Sequence, residues 1–192
     1  MRIAVNQEVF FLQVYGGITR YFVRLADELA RLGEDVKIFA PIHRNRYLQH
    51  LPNSMVSGWY FDKRLGRYTG SLGHYNRYLA SRRIRRWKPD IIHETYYAAS
   101  GSHPPGSKTV ITVYDMIYEA MPEAKEAVLV SSLKKASVER ANHIICISEG
   151  TRRALIERFG VDESKTSVVY LGVDNEFSGI RPPIIDKSSK PF

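Results

Sequence analysis

Residues 11–21 read FLQVYGGITRY, a glycine pair set between an apolar stretch and the first turn of a helix-patterned segment. A helix N-terminus leaves several backbone N–H groups unpaired and carries partial positive charge, and glycines let a backbone approach a phosphate closely. Arg20, in that first turn, is opposed by the helix dipole unless an anion sits nearby. Gly16, Gly17 and Arg20 therefore read as a phosphate or diphosphate cradle. The same residues also suit an ordinary turn, because Gly-Gly is a weaker signal than GxGxxG or a P-loop, and the sequence contains neither.

Other reactive side chains gather where apolar runs end. His93 and Glu94 close DIIHE, followed by Tyr96; Tyr114 and Asp115 close TVITVYD; Ser148 closes HIICIS. Each has a structural alternative: His93 as a satisfied, half-buried histidine, Asp115 as a cap for the loop behind it. Ser148 lies in Cys-Ile-Ser-Glu-Gly, not GxSxG, so no hydrolase nucleophile elbow is indicated. With no HExxH and no CxxC, a zinc site has no framework, and no metal is expected. The single cysteine, Cys146, sits in an apolar run and reads as a small buried hydrophobe.

These residues need a scaffold, and the periodicity supplies one. Residues 2–6 suit a buried strand; Ile18, Tyr21, Phe22, Leu25, Ala26, Leu29 and Leu32 fall on one helical face, closed by Gly33; 35–41 reads as a second strand, stopped by Pro41. Strand, helix, strand within forty residues is the sequence form of a right-handed crossover. Residues 45–70 have no clear period. Beyond them a helix is expected over 71–87, strands over 90–94, 109–115, 143–148 and 166–172, a turn at HPPGS, and helices over 123–141 and 149–160. Apolar strands alternating with helices indicate a doubly wound α/β domain with a parallel sheet. In such sheets ligands bind beyond the carboxyl ends of the strands, which is where the candidate residues fall.

The 192 residues, 44% apolar and 11% aromatic, suffice for one domain with a real core. That domain is expected over 1–178. The segment 179–192, with Arg-Pro-Pro and Asp-Lys-Ser-Ser-Lys-Pro, reads as an interdomain linker leading into a further, C-terminal domain. No apolar run is long enough for a membrane span, and the N-terminus enters a strand pattern directly, so a cytoplasmic location is expected. The net charge of +8, from 28 Lys and Arg against 20 Asp and Glu, fits three kinds of partner: nucleic acid, anionic lipid or phosphorylated small molecules. Its densest cluster is Arg77, Arg82, Arg83, Arg85, Arg86 and Lys88. These are either a solvated helix face or a membrane-surface patch. No recognition-helix or RNP-type pattern supports nucleic acid.

Taken in order, YGGITRY, PDIIHETYY, TVYDMIYEAMPE, ANHIICISEGTRRALIERFGVDESKTSVVYLGVD and the closing KPF resemble the N-terminal domain of retaining glycosyltransferases of family 4, with the GT-B fold. The likeness runs along nearly the whole chain and looks closest to bacterial enzymes of surface polysaccharide synthesis, often mannosyltransferases. It implies two Rossmann-like domains, the N-terminal one for the acceptor and the C-terminal one for most of the nucleotide-sugar donor, with no cofactor beyond that co-substrate. Gly16, Gly17 and Arg20 would meet the donor diphosphate. Tyr114 and Asp115 take the positions of a His-Asp pair that contacts the transferred sugar in many members, and a phenol does not replace imidazole near neutral pH. His93, Glu94, Tyr96 and Ser148 would line the substrate side. The resemblance also implies a glycan or lipid-linked acceptor and peripheral contact with anionic membrane through Arg82, Arg83, Arg85 and Arg86. Two alternatives stand beside it: a GT-B nucleotide-sugar epimerase and a non-catalytic basic binding domain.

Overall fold

The computed structural model describes residues 1–61, 69–101, 104–121, 123 and 126–172. The expected linker, 179–192, lies outside them. Strands β1 (Arg2–Val5), β2 (Asp35–Ile38), β5 (Ile91–Glu94), β6 (Lys108–Val113), β7 (His143–Cys146) and β8 (Thr166–Val168) form one parallel sheet in the order β2-β1-β5-β6-β7-β8. β3 (Ile42–His43) pairs in parallel with β4 (Trp59–Tyr60) beside it. Helices are α1 (Glu8–Leu12), α2 (Gly17–Arg31), α3 (Thr69–Trp87), α4 (Ile117–Ala120), α5 (Ala127–Arg140) and α6 (Glu149–Phe159).

Alternation along β1 assigns the layers. Ile3 and Val5 face α2, packing with Phe22, Val23 and Ala26, while Ala4 points the other way toward Ile84 of α3 and Ile92 of β5. Ala4 stands in register with Ile92, and Ile92 with Thr109, so Ile111 and Val113 share the α3 side, where Val138 of α5 and Leu155 of α6 cover them. Helices thus lie on both faces, as the apolar strands demand. The expected doubly wound α/β class holds.

Three details differ from the sequence reading. A short helix, α1, precedes the glycine pair, burying Val9, Phe10 and Phe11 on too few residues for a readable period. The unassigned stretch 45–70 contains two short 3-10 turns, Tyr47–His50 and Asn53–Met55, with β4 and the start of α3; turns this brief carry no periodicity. The last strand ends at Val168, short of the expected 172, and Val169, Tyr170 and Leu171 beyond it are 49%, 69% and 48% exposed. α2 and α6 end as expected on glycines, Gly33 at φ 88° and Gly160 at φ 64°, where a Cβ would be strained.

Candidate functional site

From β1 the chain turns one way to β2 and then returns past β1 to β5, so the topological switch point opens beyond Val5 and Glu94. Two side chains lock its floor. The Asn6 carboxamide oxygen accepts from the Thr95 N–H at 2.8 Å and the Thr95 hydroxyl at 2.7 Å, and Thr95 Oγ1 accepts from the Val9 N–H at 3.2 Å. Asn6 and Thr95 are both buried.

The glycine pair sits above that floor, and its two members differ. A Cβ on Gly16 would stand 2.0 Å from Gln13 Oε1, the far end of a flexible side chain that would have to swing aside. A Cβ on Gly17 would meet nothing within 4 Å. The fold does not require Gly17 to lack a side chain, whereas a ligand resting on the backbone would. Gly16 caps α2 without a side chain, no acidic residue lies in the first turn, and the Thr19 hydroxyl donates back to the Gly16 carbonyl at 2.9 Å. The first helical bond runs from the Arg20 N–H to that same carbonyl at 3.0 Å, with the exposed Arg20 side chain in the same turn.

His93 and Glu94 are placed differently. His93 is buried, 2.9 Å from Thr112 Oγ1 through Nε2, with its ring edge-on to Phe22 at 4.9 Å. Burial depresses its pKa to about 4, so it is neutral at pH 7. Glu94, 1% exposed, is held bidentate by Arg140 at 2.6 and 3.1 Å; Arg140 in turn donates to Ala98 O and Ser137 Oγ. These two residues hold the β5 end and its loop from beneath. Tyr96 is half-buried against Tyr97, with centroids 4.8 Å apart, and burial raises its pKa.

At the end of β6, Tyr114 packs edge-on to Tyr21 at 5.9 Å, and its hydroxyl is buried without a partner. Burial pushes its pKa far above the ordinary tyrosine value, so it is a neutral phenol able to donate a hydrogen bond. Asp115 accepts from the Ile117 N–H at 3.2 Å, the turn cap that its sequence position allows. Beneath this turn lies Lys134, 0% exposed, whose ammonium donates to the Asp115 carbonyl at 2.8 Å and to Glu119 Oε2 at 2.7 Å and stands 5.2 Å from the Tyr97 ring centroid. Ser148 caps α6, accepting from the Thr151 N–H at 3.1 Å. Arg152 on the same helix is held by Glu163 at 2.8 Å and Thr166 at 2.7 Å.

The structure thus brings Gly16, Gly17, Arg20, Tyr96, Tyr114, Asp115 and Ser148 to the strand ends, while His93 and Glu94 serve as supports within the core. Sequence reasoning singled out neither Lys134 nor Arg140. Lys134 stands beside Lys135 in a helix and looks solvated; only its tertiary neighbours show otherwise. Among the described residues no three of His, Cys, Asp and Glu gather as metal ligands would.

The basic helix divides. Arg77 pairs bidentate with Glu8 at 2.7 and 3.1 Å, and Arg83 donates to Ser57 and lies 5.2 Å over the Trp59 ring. Tyr75, Tyr78, Arg82, Arg85 and Arg86 are exposed and recur at helical spacing on one face. Among the described residues no helix is long and apolar enough to cross a membrane.

A family model described as Glycosyltransferase Family 4 matches residues 15–177. No curated protein matches the chain. Among solved structures, the lipopolysaccharide outer core galactosyltransferase WaaB in its apo form superposes with a TM-score of 0.57 at 17% identity, over 97% of this chain and 50% of that one. A glycosyltransferase from Rickettsia africae ESF-5 superposes with a TM-score of 0.52 at 18% identity, over 94% and 46% respectively. At such identity the likeness is one of fold. The chain spans about half the length of the solved structures it matches.

Proposed function

The chain belongs to glycosyltransferase family 4, and from that premise we propose that it is the acceptor-side, Rossmann-like half of a retaining GT-B enzyme. That enzyme transfers a hexose, with mannose the first candidate, from a nucleotide sugar to a glycan or lipid-linked acceptor. The observation that carries the reading is the entry to α2: an N-terminus without a side-chain cap, opening at the switch point, with free space where Gly17 would carry a Cβ.

In this reading the N–H groups of the first turn and Arg20 hold the donor diphosphate as its charge grows on leaving. The departing diphosphate takes the proton of the acceptor hydroxyl on the face the sugar leaves from, so configuration is retained without a protein nucleophile. Tyr114 donates, as a neutral phenol, and Asp115 accepts, each toward a hydroxyl of the transferred sugar. Lys134, Glu94 and Arg140 fix the loops that carry these groups. A second domain supplies the rest of the donor site, and this half alone does not turn over. The Tyr75, Tyr78, Arg82, Arg85 and Arg86 face of α3 is read as a contact for anionic membrane, where basic side chains contribute about 1 kcal/mol each.

The test uses protein extended beyond residue 192, screened against nucleotide sugars by thermal shift and donor hydrolysis, with Gly17→Val alongside. Stabilisation by one donor, lost in the variant while its own melting temperature is kept, supports the reading. Equal stabilisation of both proteins removes the diphosphate from Gly17.

A further inference from the structure

A single apolar or aromatic side chain on a protein surface is ordinary, but one that the fold fixes in place while leaving it open to solvent is not. Tyr15 is such a ring. It is 57% exposed and stands two residues before Gly17, so the two Cα atoms lie within about 7 Å of each other at the open edge of the sheet. Burial does little to hold a ring this exposed, and a tyrosine left to itself there samples several rotamers.

Its neighbours fix it. Tyr47 packs against it edge to face, with ring centroids 5.4 Å apart and planes at 78°. The Arg46 side chain bridges two phenols: its Nε donates to the Tyr60 hydroxyl at 3.1 Å, and hydrogen bonds to the Tyr60 and Tyr15 hydroxyls hold its pKa above the ordinary arginine value. Beneath the rings, the Asn45 carboxamide, 0% exposed, donates to the Gln13 and Val14 carbonyls at 3.1 Å each and accepts from the Tyr47 N–H at 3.1 Å. The Arg46 N–H adds a bond to the Val14 carbonyl at 3.1 Å. The segment carrying Tyr15 is thereby tied, through backbone and side chain, to the segment carrying Arg46 and Tyr47. Tyr60 joins the same unit from β4, where it is in register with His43 and their rings are 6.0 Å apart.

A pyranose ring presents a face of C–H groups and a rim of hydroxyls. Such a ligand is held by a flat apolar surface edged with hydrogen-bonding groups, and a tyrosine already fixed in one rotamer supplies that surface at low entropic cost. Tyr15 offers the flat surface, and the Arg46 guanidinium and Tyr60 hydroxyl offer the edge, next to the uncapped first turn of α2. We propose that Tyr15, clamped by Arg46 and Tyr47, is a stacking platform for a pyranose ring of the acceptor, with Arg46 and Tyr60 meeting the hydroxyls at its rim. The substrate class this names is a glycan that presents a sugar face beside Gly17, and not a bare polyol or a headgroup without a sugar ring. Calling that sugar the acceptor rests on the glycosyltransferase reading; the platform itself rests on the geometry of the rings.

The experiment is NMR titration of the 192-residue chain carrying 13C-tyrosine and 15N-glycine, following the Tyr15 ring signal, identified by its loss in Tyr15→Leu, and the Gly17 amide. Probes are methyl β-glucoside, methyl β-galactoside, methyl α-mannoside, the open-chain polyol glucitol, and pyrophosphate. The glycosides and the polyol are raised to on the order of 100 mM, enough to saturate a millimolar Kd. At least one glycoside should shift the Tyr15 ring, while glucitol, hydroxylated but without a ring face, should not. The glycoside that binds best should lose roughly 3- to 10-fold in affinity in Tyr15→Leu, the range for an aromatic contact, read from the remaining tyrosine and glycine signals, and should keep its affinity within about twofold in Tyr15→Phe, which retains the ring. Because the ring is exposed, both variants should melt with wild type. No shift at Tyr15 with any glycoside, an equal shift with glucitol, a loss below about threefold in Tyr15→Leu, or a Tyr15→Phe protein as weak as Tyr15→Leu would each overturn the platform. Pyrophosphate separates the two readings: if it shifts Gly17 while the glycosides leave Tyr15 untouched, the platform falls and the diphosphate cradle stands. If pyrophosphate leaves Gly17 untouched while a glycoside shifts Tyr15, the reverse holds.

Discussion

Replacing Lys134 by methionine removes a fully buried ammonium and nothing from the surface, so the consequence can be worked from its contacts. Lys134 is 0% exposed, and its partner Glu119 is 4% exposed at 2.7 Å. Methionine fills similar volume, so cavity formation is a minor contribution. What remains is an uncompensated carboxylate, together with an Asp115 carbonyl that loses its 2.8 Å donor. Breaking a buried ion pair from one side costs about 3–5 kcal/mol. For a domain of this size each kcal/mol moves the melting temperature by roughly 2–4 °C, so Lys134→Met should melt on the order of 10 °C lower. Adding Glu119→Gln removes the stranded charge and should restore more than half of the loss, because replacing both members of a buried pair is often close to neutral. Urea unfolding of wild type, both single variants and the double variant closes the cycle. A Lys134→Met protein within about 1 kcal/mol of wild type, or a double variant no more stable than Lys134→Met, refutes the claim that this ammonium compensates Glu119 and secures the Tyr114–Asp115 turn.

His93 gives a pH test. Its pKa is lowered from 6.5 to about 4 in the fold, so only the unfolded chain takes up its proton between those values. Its contribution is complete above pH 6.5 and is lost as pH falls toward 4, about 3 kcal/mol in all; wild type should lose roughly 2 kcal/mol more than His93→Gln between pH 7 and pH 5 in urea titrations. On α3, replacing Arg82, Arg85 and Arg86 together by glutamine should reduce binding to anionic vesicles about 100-fold at low salt in a sedimentation assay. Arg83→Gln should do little to that binding, because its guanidinium is turned to Ser57 and Trp59. Cys146 is fully buried, and burial pushes its thiol up to about 11; it should be silent to a thiol reagent in the native protein and react once in denaturant.

The sequence carries the scaffold and its capping residues because both are local. The strand and helix periods, Gly33 and Gly160 at helix ends, and the glycine pair at an N-terminus all act within a few residues of themselves. Their ordering was enough to predict that Tyr114, Asp115 and Ser148 fall at the ends of strands. What stayed hidden depends on pairings across the sheet. Glu94 reads as a strand-end acid until Arg140, 46 positions later, is found holding both its oxygens, and Lys134 reads as one of two solvated lysines until Glu119 and the Asp115 carbonyl close around it. The glycine pair shows the same limit within five residues: sequence treats Gly16 and Gly17 as one motif, yet a Cβ on the first would meet the Gln13 side chain and a Cβ on the second nothing within 4 Å. Gly17, where a Cβ would meet no atom of the described residues within 4 Å, is therefore the member of the pair whose substitution most directly reports on a ligand.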